Sequence, residues 1–542
     1  MGPSLARPRA SGLWLTRCVT VNVSDYLHAA ASNDPDGVAL VEHRPARREV
    51  TWRELDAAVD SVARALSGRG LVAGQRVAVV MANRIDLPIA YYGILRGGMV
   101  AVPINPRSTT REIGRMLADS RARVVLCDEA GVAQVRDALT DDHRVGVVVD
   151  GAAPLEGETS FQSFLADASG AAPAAPPDAE ALAVVLYTSG TSGKPRGAML
   201  THRALIANTE QIAALQPPAM TPDDICLGLL PMFHIYGLNC VLGQAVRQGA
   251  TVVLVDGFDP SRLLDLIRDE GITNLPLAPP VIAAWAGRDD LREKLGHVTT
   301  ILSGAAALDP DLAEAFRESS GQQIEQGYGL TETSPVIATT HGSPRDAHDR
   351  VKHGSVGRAL PGIQLRIVEP GGGDAAAGDP AEIWVKGDNL FSGYWPDGID
   401  GPDADGWYPT GDVGYLDADG DLTLVDRLRE LVIVSGFNVY PFEVEDVIAE
   451  VDGVGQVAVV GLPDEETGEA VVAFVVPAKD APADEAVLLE AIDAHCRTRL
   501  ARFKQPRRTI AVTGLPHSAT GKVAKGRLRA LARSETLGLD AS

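Results

Sequence analysis

Strand-like and helix-like stretches alternate through most of this chain, and this alternation restricts its fold more than any other feature. Residues 51–66 have helical spacing behind a threonine that can cap a helix, and residues 75–81 form a short apolar run. Helical spacing returns over residues 86–98, followed by a strand-like run over 99–103, and a second alternating block covers residues 225–304. Strands that alternate with helices predict an α/β fold, in which a mostly parallel sheet is covered by helices on both faces.

The chain is too long for one typical domain. With 542 residues it is expected to contain at least two. Because the pattern changes towards the C-terminus, we predict a large domain over residues 21–425, a hinge over 426–430 and a smaller α/β domain over 431–542. Residues 1–20 are expected to be disordered or a misassigned start. Residues 151–180, rich in Ala, Pro and acidic side chains, are expected to form an exposed connection.

Composition argues against several classes of function. The formal net charge of −23 repels a polyphosphate backbone, and aromatic residues, at 5%, are too few for stacking on single-stranded nucleic acid. The 5 cysteines are scattered without a CxxC pair, as is typical of free thiols in a reducing cytoplasm. Apolar runs stay below the roughly 18 residues that span a bilayer. We therefore expect a cytoplasmic protein without nucleic-acid partners or a transmembrane segment. Peripheral membrane contact and the choice between monomer and homodimer stay open.

A strand that runs directly into glycines and hydroxyl side chains is the strongest local feature. Residues 182–187 are a buried-type strand, and residues 187–198 read YTSGTSGKPRGA. The backbone N–H groups of such a loop can converge on phosphate oxygens, because its glycines allow a close approach. The spacing is not that of a Walker loop, and composition alone leaves a phosphate loop and a flexible surface loop equally open. The candidate phosphate contacts are Thr188, Ser189, Gly190, Thr191, Ser192, Gly193 and Lys194.

Two further segments carry side chains suited to a nucleotide. In residues 326–333, QGYGLTET, Tyr328 offers a flat face for a base, and Glu332 is a hard oxygen ligand suited to Mg²⁺. In residues 408–414, YPTGDVG, Asp412 beside a glycine turn can accept hydrogen bonds from a ribose diol. Taken singly each is weak, since a lone Glu is usually solvated and Gly-Asp is a common turn.

Residues 231–237, PMFHIYG, and residues 515–524, LPHSATGKVA, contain one candidate each. These are His234 and Lys522. A lone histidine near apolar residues is more often structural, and a lysine near the C-terminus is usually an ordinary surface residue. The significance of both depends on their context.

Taken together and in this order, the segments resemble the motifs of the adenylate-forming superfamily. That superfamily includes acyl-CoA synthetases, 4-coumarate–CoA ligases, firefly luciferase and the adenylation domains of peptide synthetases. The sequences of these motifs are most similar to those of bacterial fatty acyl-CoA ligases and 4-coumarate–CoA ligases. Two positions depart mildly from the usual pattern, with Ser192 in place of Thr and Arg196 in place of Lys. The resemblance implies a large N-terminal domain of several subdomains, with mixed sheets covered by helices, and a small mobile C-terminal α/β domain.

The resemblance also implies roles in binding ATP. Tyr328 would stack on adenine, Thr331 would contact the α-phosphate, and Glu332 would hold the Mg²⁺ that bridges the phosphates. Asp412 would bind the ribose with Arg427 as its partner. Gly304, Ala305 and Gly329 complete the expected nucleotide set.

Catalysis would involve both domains. By resemblance, Lys522 reaches the substrate carboxylate and the α-phosphate, and Arg429 occupies the hinge position. The segment Ser435, Gly436 and Phe437 would enter the site for the thioester step. The expected catalytic residues are Lys522, His234, Glu332 and Thr188.

The implied activity is that of an ATP-dependent acid–thiol ligase. The carboxylate would attack the α-phosphorus with release of pyrophosphate, and the acyl group would then pass to coenzyme A with release of AMP. Holding anions together makes positioning and charge neutralisation the main sources of catalysis. The small domain is expected to rotate about the hinge between the steps. The basic residues of 502–508 suit anionic coenzyme A, and an ordinary solvated stretch is equally consistent.

The identity of the acid is less constrained. The segment PMFHIYG lacks the carboxylate that pairs with the amine in amino-acid-activating relatives, so an uncharged acyl tail is expected. The segment VSGFNVYP resembles that of fatty acyl-CoA ligases and favours a medium- or long-chain fatty acid. The segment PMFHIYGLN also resembles that of ligases that act on aryl acids. Small residues in the pocket could open a tunnel, and a tryptophan could close it. The pocket candidates are His234, Tyr236, Val281, Trp285, Gly304 and Ala305.

Three alternatives to a coenzyme A ligase are considered, two of them enzymes and one an inactive protein. An acyl-AMP ligase would load an acyl-carrier protein in place of coenzyme A, and a luciferase-like oxygenase would share the first half-reaction. An inactive nucleotide-binding protein is disfavoured, because a relic is expected to lose some of the residues that remain intact here. Those residues are Glu332, Asp412, Arg427 and Lys522.

Overall fold

The structure is a computed structural model with two compact units. The first comprises Met1–Lys352, Gly357–Gln364 and Lys386–Tyr408, and the second comprises His353–Val356, Leu365–Val385 and Pro409–Ser542. Both flanks of residues 426–430 belong to the second unit, so the division into units does not test the predicted hinge there. The hinge stays a prediction. The structure describes residues 20–43, 46–139, 145–168, 178–188, 195–306, 308–344, 352, 354–427, 430–434, 437–464, 467–478, 481, 485–517 and 523–536.

Local sequence signals set the ends of several helices in the first unit. The side chain of Thr51 accepts a hydrogen bond from the Glu54 N–H while the Glu54 carboxylate accepts from the Thr51 N–H, and this capping box starts the predicted helix at Trp52. The helix predicted over 86–98 stops at Arg96, because Gly98 has a φ of +71°. The α-helices are α1 Asp25–Asn33, α2 Trp52–Gly68, α3 Asp86–Arg96, α4 Thr110–Ser120, α5 Val132–Ala138, α6 Phe161–Ala166, α7 His202–Ala213, α8 Gln244–Gln248, α9 Pro260–Glu270, α10 Pro279–Trp285, α11 Leu291–Lys294 and α12 Pro310–Ser320.

Short apolar runs form strands in this unit, as predicted. The strands are β1 Val38–Glu42, β2 Arg48–Thr51, β3 Arg76–Val80, β4 Val100–Pro103, β5 Val124–Cys127, β6 Gly146–Val149, β7 Thr159–Ser160, β8 Leu182–Thr188, β9 Arg196–Thr201, β10 Ile225–Gly228, β11 Thr251–Leu254, β12 Asn274–Leu277, β13 Thr300–Ser303, β14 Glu325–Gly329, β15 Val336–Thr339 and β16 Ser355–Ala359. One sheet has the order β7-β6-β5-β3-β4-β8-β9 and is parallel except for the pair β8–β9. The expectation of a largely parallel sheet is confirmed.

A second sheet of the first unit has the order β2-β1-β11-β10-β12-β13-β14-β15. Its centre, from β1 to β14, is parallel, and the outer pairs β1–β2 and β14–β15 are antiparallel. The carboxyl ends of parallel strands meet at one edge, where ligands of α/β proteins usually bind. Gly228, Leu277, Ser303 and Gly329 end four of these strands at that edge.

Helices α9, α10 and α12 cover one face of the second sheet. Their apolar side chains and those of β12 form one buried cluster, in which Leu264, Leu275, Trp285 and Phe316 are completely enclosed. Such a cluster is held by the transfer of apolar surface out of water. It fixes the sheet that carries the candidate residues.

The second unit begins with the strand order β17-β18-β19-β20 and continues with a compact α/β sheet of order β22-β21-β24-β23, to which β25 adds in parallel on β24. Four predicted elements are present, and each of their ends lies within three residues of its predicted position. They are the helices predicted at 441–451 and 484–500 and the strands predicted at 456–461 and 470–476. Val432, Val459, Ile448 and Ile492 are fully buried in its core. The elements are β17 Gln364–Val368, β18 Ala381–Lys386, β19 Tyr408–Leu416, β20 Leu422–Arg427, β21 Val432–Val434, β22 Phe437–Val439, α13 Pro441–Ala449, β23 Val454–Asp464, β24 Gly468–Pro477, α14 Glu485–Arg499, β25 Arg508–Ala511 and α15 Lys525–Thr536.

The exposed connection predicted for residues 151–180 is partly wrong. Strand β7 and helix α6 lie within it, and the side chains of Phe161 and Phe164 are buried there. Two aromatic residues three positions apart on a helix share a face, and that signal outweighs the Ala and Pro content. Residues 1–19 and 169–177 lie outside the described residues.

Two further expectations concern cysteines and membranes. Cys127, Cys226, Cys240 and Cys496 are free thiols, as expected from their scattered spacing. Within the part of the chain that the structure describes, no helix combines the length and apolarity needed to cross a bilayer.

Candidate functional site

Strand β14 brings Tyr328 and Gly329 to the carboxyl edge of the second sheet. Tyr328 lies opposite Ala338 on β15 and is buried. A Cβ on Gly329 would stand 1.8 Å from the carbonyl oxygen of Pro335. Only glycine therefore fits where β14 closes against the return chain. This steric requirement accounts for the glycine that follows the tyrosine in the motif.

A single 3₁₀ turn, Thr331–Thr333, follows β14 and presents Glu332 at the same edge. The Thr333 hydroxyl accepts a hydrogen bond of 2.9 Å from the Leu330 N–H. The buried amide of Asn389 donates to the Thr333 carbonyl at 2.7 Å. Because both ends of the turn are tied, Thr331 and Glu332 have a fixed backbone.

The carboxylate of Glu332 is engaged by a tyrosine. The hydroxyl of Tyr394 donates a hydrogen bond to Glu332 Oε1, and Tyr408 contributes a second hydroxyl to the cluster. Burial, and after it the charge of Glu332, raises the pKa of Tyr394 far above its ordinary value. Burial and the same charge also raise the pKa of Tyr408. Both hydroxyls therefore stay protonated and remain donors at neutral pH.

The guanidinium of Arg196 packs on the face of Tyr394. Its central carbon lies 3.6 Å from the ring centroid, and its Nη2 is 2.6 Å from Asp400 Oδ2. Arg196 begins β9, the strand that leaves the glycine-rich loop. The exit of that loop is thus connected through Tyr394 to Glu332.

Thr188 and Arg196 close the two ends of the glycine-rich loop. They are register partners in the antiparallel pair β8–β9, and the Thr188 hydroxyl donates to the Arg196 carbonyl at 3.4 Å. The predicted phosphate contacts Ser189, Gly190, Thr191, Ser192, Gly193 and Lys194 lie outside the described residues. The described flanks form the strand–loop–strand frame that the motif requires.

His234 sits in a well-anchored segment after β10. Its Nδ1 accepts a hydrogen bond of 3.3 Å from the Tyr236 N–H, and its backbone carbonyl accepts from the Leu238 N–H at 2.9 Å. An Nδ1 that accepts leaves Nε2 as the protonated nitrogen of the neutral ring. Tyr236 then opens a π-helix, Tyr236–Gly243, which the periodicity did not predict. π-Helices are rare and occur frequently at functional sites.

Asn83 fastens this segment to the other sheet of the first unit. Its amide nitrogen donates to the carbonyls of Gly228 at 3.0 Å and Leu230 at 2.8 Å, and its Oδ1 accepts from the Met232 N–H at 3.0 Å. Asn83 is buried and follows β3. One side chain therefore joins the ends of β3 and β10 two residues before His234.

Tyr236 and Gly304 are in contact across the candidate acyl pocket. A Cβ on Gly304 would lie 2.8 Å from Tyr236 Cε1, and the Tyr236 hydroxyl donates to the Leu302 carbonyl at 3.3 Å. The missing side chain of Gly304 is thus filled by the tyrosine ring, and in this structure it opens no tunnel at that point. Ala305 follows with a φ of +70°, a strained conformation for a residue with a Cβ. Strain of this kind is concentrated at functional sites.

Val281 and Trp285 belong to the core of the first unit. Both lie on α10, and the Trp285 indole is completely enclosed, with its N–H donating to the Pro260 carbonyl at 2.9 Å. Their main contribution in this structure is to the packing of α10 on the sheet. The sequence could not separate this role from pocket lining, because both place an aromatic ring on an apolar helix face.

The second unit contains the predicted ribose pair. Asp412 and Arg427 are opposed across β19 and β20, and Asp412 is buried. The Asp412 N–H is bonded to the Thr410 hydroxyl at 3.1 Å, and the Thr410 hydroxyl donates to the Ile383 carbonyl at 2.8 Å. The aspartate is therefore held at the backbone by the neighbouring strand.

Several predicted residues of the second unit lie outside the described residues. These are Arg429, Ser435, Gly436 and Lys522, and of Phe437 the structure describes only the backbone. The flanks of two of these segments pair in antiparallel fashion, Val434 with Phe437 and His517 with Val523. Lys525, at the start of α15, is ion-paired with Glu430 at 3.2 Å and Glu445 at 2.9 Å.

The basic stretch at residues 502–508 is partly neutralised. Lys504 forms an ion pair of 2.6 Å with Glu443, and Arg507 lies 2.8 Å from Asp464. Charges that are already paired attract an anionic ligand less than isolated ones do. The sequence could not reveal this, because both partners lie tens of residues away in the chain.

Sequence reasoning missed Tyr394, Asn83 and Asn389. Each acts through contacts with residues far along the chain, and none has the charge that usually marks a functional residue. The only local signal was Gly393-Tyr394-Trp395, a glycine beside two aromatic residues.

Comparison with known proteins agrees with the order of the motifs. The profile described as AMP-binding enzyme matches residues 27–395, and that of the AMP-binding enzyme C-terminal domain matches residues 443–522. The chain is 35% identical to 4-coumarate–CoA ligase-like 9 of Oryza sativa subsp. japonica, over 94% of this chain and 92% of that protein. It is 32% identical to the long-chain-fatty-acid–CoA ligase of Bacillus subtilis (strain 168), over 92% of each chain.

A solved structure extends the likeness to the fold. The crystal structure of ATP-bound MatB from Rhodopseudomonas palustris superposes with a TM-score of 0.84 at 32% identity, covering 95% of this chain and 99% of that one. The similarity therefore runs through both sequence regions that the profiles match. This chain belongs to the AMP-binding enzyme family, within the adenylate-forming superfamily.

Proposed function

We propose that this protein is an ATP-dependent acid–CoA ligase that forms an acyl-adenylate and transfers the acyl group to coenzyme A. The observation that carries the proposal is the turn Thr331–Thr333, which follows the strand of the buried Tyr328 and carries a threonine and a glutamate in succession. An aromatic ring and a hard oxygen ligand at the carboxyl edge of a parallel sheet suit a metal-bound nucleotide. The coenzyme A ligases among the relatives support the same reaction.

Within this proposal, the nucleotide contacts are the residues expected from the motifs. Tyr328 stacks on adenine, with Gly304, Ala305 and Gly329 forming the surrounding backbone, and Thr331 contacts the α-phosphate. Asp412 and Arg427 bind the ribose. Thr188 and the loop residues Ser189, Gly190, Thr191, Ser192, Gly193 and Lys194 hold the phosphates.

The donor set at Glu332 fits Mg²⁺. Magnesium is commonly held by one or two carboxylates together with phosphate oxygens, and a glutamate fixed on a rigid turn supplies such a ligand. Glu332 would hold the ion, which would neutralise charge on the phosphates when bound. A carboxylate has about four acceptor positions, so the bond from Tyr394 leaves capacity for a metal.

Adenylation requires two anions to approach each other. Lys522 neutralises the substrate carboxylate and the α-phosphate, and the amides of the glycine-rich loop neutralise the remaining phosphates. In this proposal His234 is a contact of the substrate acid, and its ring is oriented by the bond from the Tyr236 N–H to Nδ1.

Thioester formation requires a thiol to reach the acyl carbonyl. The second domain rotates about Arg429, removes Lys522, and brings Ser435, Gly436 and Phe437 to the site. Coenzyme A would be attracted by the basic residues of 502–508, although the ion pairs of Lys504 and Arg507 reduce the attraction from those two side chains. An acyl-carrier protein is the competing acceptor, and the product identifies which one is used.

For the acid, we propose a medium- or long-chain fatty acid. The support is the fatty acyl ligase among the relatives, together with the absence of a carboxylate in residues 231–237 that could pair with a substrate amine. An aryl acid is the second candidate, because the Tyr236 ring packed against Gly304 offers a flat surface. Val281 and Trp285 then act through the packing of α10, while His234, Tyr236, Gly304 and Ala305 line the acid.

The full chain would be incubated with ATP, Mg²⁺ and a panel of fatty and aryl acids, with and without coenzyme A. Pyrophosphate release and product masses would be followed, with Glu332→Gln as the inactive control. Acyl-CoA from one class of acid supports the proposal and identifies its substrate. Acyl-AMP that persists in the presence of coenzyme A would assign the acceptor to a carrier protein, and absence of turnover with every acid would contradict the ligase proposal.

A further inference from the structure

The strand that leaves the glycine-rich loop is bonded to the segment that contains Tyr394. The Ser392 N–H donates to the Met199 carbonyl at 2.9 Å, and the Met199 N–H donates to the Gly393 carbonyl at 3.0 Å. The Trp395 N–H donates to the Gly197 carbonyl at 2.8 Å. Three backbone bonds to β9 thus hold both neighbours of Tyr394, so its ring has a defined position relative to the end of the loop.

Tyr394 reaches from this segment to Glu332, which is 62 residues away in the chain. Its hydroxyl donates to Glu332 Oε1, while the Phe391 N–H donates to the Glu332 carbonyl at 3.0 Å. The same short segment therefore binds both the side chain and the backbone of Glu332. A glutamate has three rotatable bonds, and a fixed donor removes that freedom before any ligand arrives.

Arg196 fixes the other face of Tyr394. Its guanidinium stacks on the ring at 3.6 Å and is itself oriented by Asp400. A planar guanidinium can stack and form a directed ion pair at the same time, whereas a lysine ammonium acts as a point charge. A lysine at position 196 would therefore not supply the same contact.

We propose that Tyr394 is a positioning residue that holds the Glu332 carboxylate ready for the metal–nucleotide complex, and that Arg196 acts on Glu332 through Tyr394. This inference rests on the proposed function, in which Glu332 is the metal ligand. Its consequence is that the position of Arg196 on β9 and the orientation of the Glu332 carboxylate are coupled by one aromatic ring.

The first test compares Tyr394→Phe with the wild type. Binding of Mn²⁺, as a probe for Mg²⁺, is measured by electron paramagnetic resonance in the presence of a non-hydrolysable ATP analogue. The Mg²⁺ activation constant is measured separately by ATP–pyrophosphate exchange. We expect Tyr394→Phe to weaken both by roughly 10-fold, because a hydrogen bond to a charged group is lost.

Tyr26→Phe is the matched control. Tyr26 also donates from its hydroxyl to a glutamate, Glu210, at 2.7 Å, and it contacts none of the candidate site residues named above. It removes an equivalent Tyr–Glu bond, so its Mn²⁺ affinity should stay within about twofold of the wild type. Equal Mn²⁺ affinities for Tyr394→Phe and the wild type would overturn the positioning role. So would equal losses in Tyr394→Phe and Tyr26→Phe, because they would indicate a general effect on folding.

The second test asks whether Arg196 acts through Tyr394. Arg196→Ala is expected to weaken Mn²⁺ binding by several-fold, in the order of magnitude of a cation–π contact. In the Tyr394→Phe background the same change should add less than it does in the wild type, since coupled residues are not additive. Fully additive losses would contradict the coupling and would assign Arg196 a direct contact with phosphate.

Glu332→Gln separates this inference from the proposed function. If Glu332→Gln loses Mn²⁺ binding while Tyr394→Phe keeps it, the positioning role is wrong and the metal assignment stands. If Glu332→Gln itself keeps normal Mn²⁺ affinity and exchange activity, the metal role of Glu332 fails, and with it the basis of the inference.

Discussion

Asp412 and Arg427 lie opposite each other across the antiparallel strands β19 and β20. The sequence separates them by a complete hairpin, yet the register brings their backbones together. A carboxylate that accepts two hydrogen bonds from a diol needs a fixed backbone, and the bond from Asp412 N–H to Thr410 supplies one.

Asp412→Asn should raise the KM for ATP with a smaller change in kcat. The variant keeps an oxygen acceptor but loses the charge, and a hydrogen bond to a charged group contributes about 1.5–3 kcal/mol, which is roughly 10- to 100-fold in affinity. The ribose does not react, so the loss is expected in binding. Initial rates of ATP–pyrophosphate exchange provide the measurement. Asp419→Asn, at the exposed turn of the same hairpin, should change neither parameter, and an unchanged KM in Asp412→Asn would argue against ribose binding.

Lys522→Ala should separate the two half-reactions. We expect adenylation to fall by roughly 100-fold or more, because a positive charge at the reacting phosphate is removed. Formation of acyl-CoA from supplied acyl-AMP should remain close to the wild-type rate. Lys525→Ala serves as the control, since that lysine is ion-paired with Glu430 and Glu445 and should reduce stability without favouring either step. Equal losses of both half-reactions in Lys522→Ala would remove its assigned role.

Replacing Asn83 with aspartate should destabilise the fold, although the two side chains have nearly the same size. Asn83→Ala removes the bonds to the Leu230 carbonyl and the Met232 N–H, while the Gly228 carbonyl still accepts from the Val255 N–H, and the cost is about 1–3 kcal/mol in unfolding free energy. Asn83→Asp should destabilise further, because an ionised carboxylate cannot donate to the carbonyls of Gly228 and Leu230. Urea unfolding and adenylation rates would be compared for both variants. If Asn83→Asp is as stable as the wild type, these bonds do not hold the segment before His234.

Gly304 and Tyr236 should be energetically coupled. Gly304→Ala places a Cβ against the Tyr236 ring and is expected to destabilise the fold by about 1–3 kcal/mol through overpacking. Tyr236→Leu removes the ring, so the double variant should recover part of the loss introduced by Gly304→Ala. Melting temperatures give the coupling, and rates with fatty and aryl acids show whether the ring contributes to selectivity. Strict additivity would mean that the two side chains do not meet.

Stability should decrease in mild acid because of His202. Burial lowers the pKa of His202 from 6.5 to about 4, with the charges of Asp25 and Asp178 acting weakly in the opposite direction, while Nδ1 accepts a bond of 3.1 Å from the Val23 N–H. The unfolded chain binds the proton more readily than the folded one. The contribution is therefore fully present above pH 6.5 and is lost as the pH falls towards 4, by an amount on the order of 3 kcal/mol.

His202→Asn gives the corresponding measurement. Asparagine keeps an acceptor near the position of Nδ1 and does not titrate in this range. Thermal unfolding from pH 4 to pH 7.5 should show a shallower loss of stability in the variant than in the wild type. Parallel pH profiles for the two proteins would exclude His202 as the source.

Local patterns in the sequence were sufficient for much of the architecture. Several of these features depend only on residues within a few positions of each other, so they can be read from a short segment. They are the capping box of Thr51 and Glu54, the turn at Gly98 and the strand that runs into Thr188. The order of the motifs identified the family for the same reason, since each motif is a short continuous segment. The α/β class followed from the alternation of these elements.

Contacts between distant segments were decided only by the tertiary structure. Tyr394 binds a glutamate 62 residues away, and Asn83 accepts from a backbone 149 residues away. Trp285 resembled a pocket residue in the sequence and is buried in the core. A side chain's partner depends on which strands become neighbours, and the packing of sheets and helices sets this after the local elements have formed. The sequence by itself determined the elements, the family and the candidate nucleotide residues, whereas the fold determined what orients them.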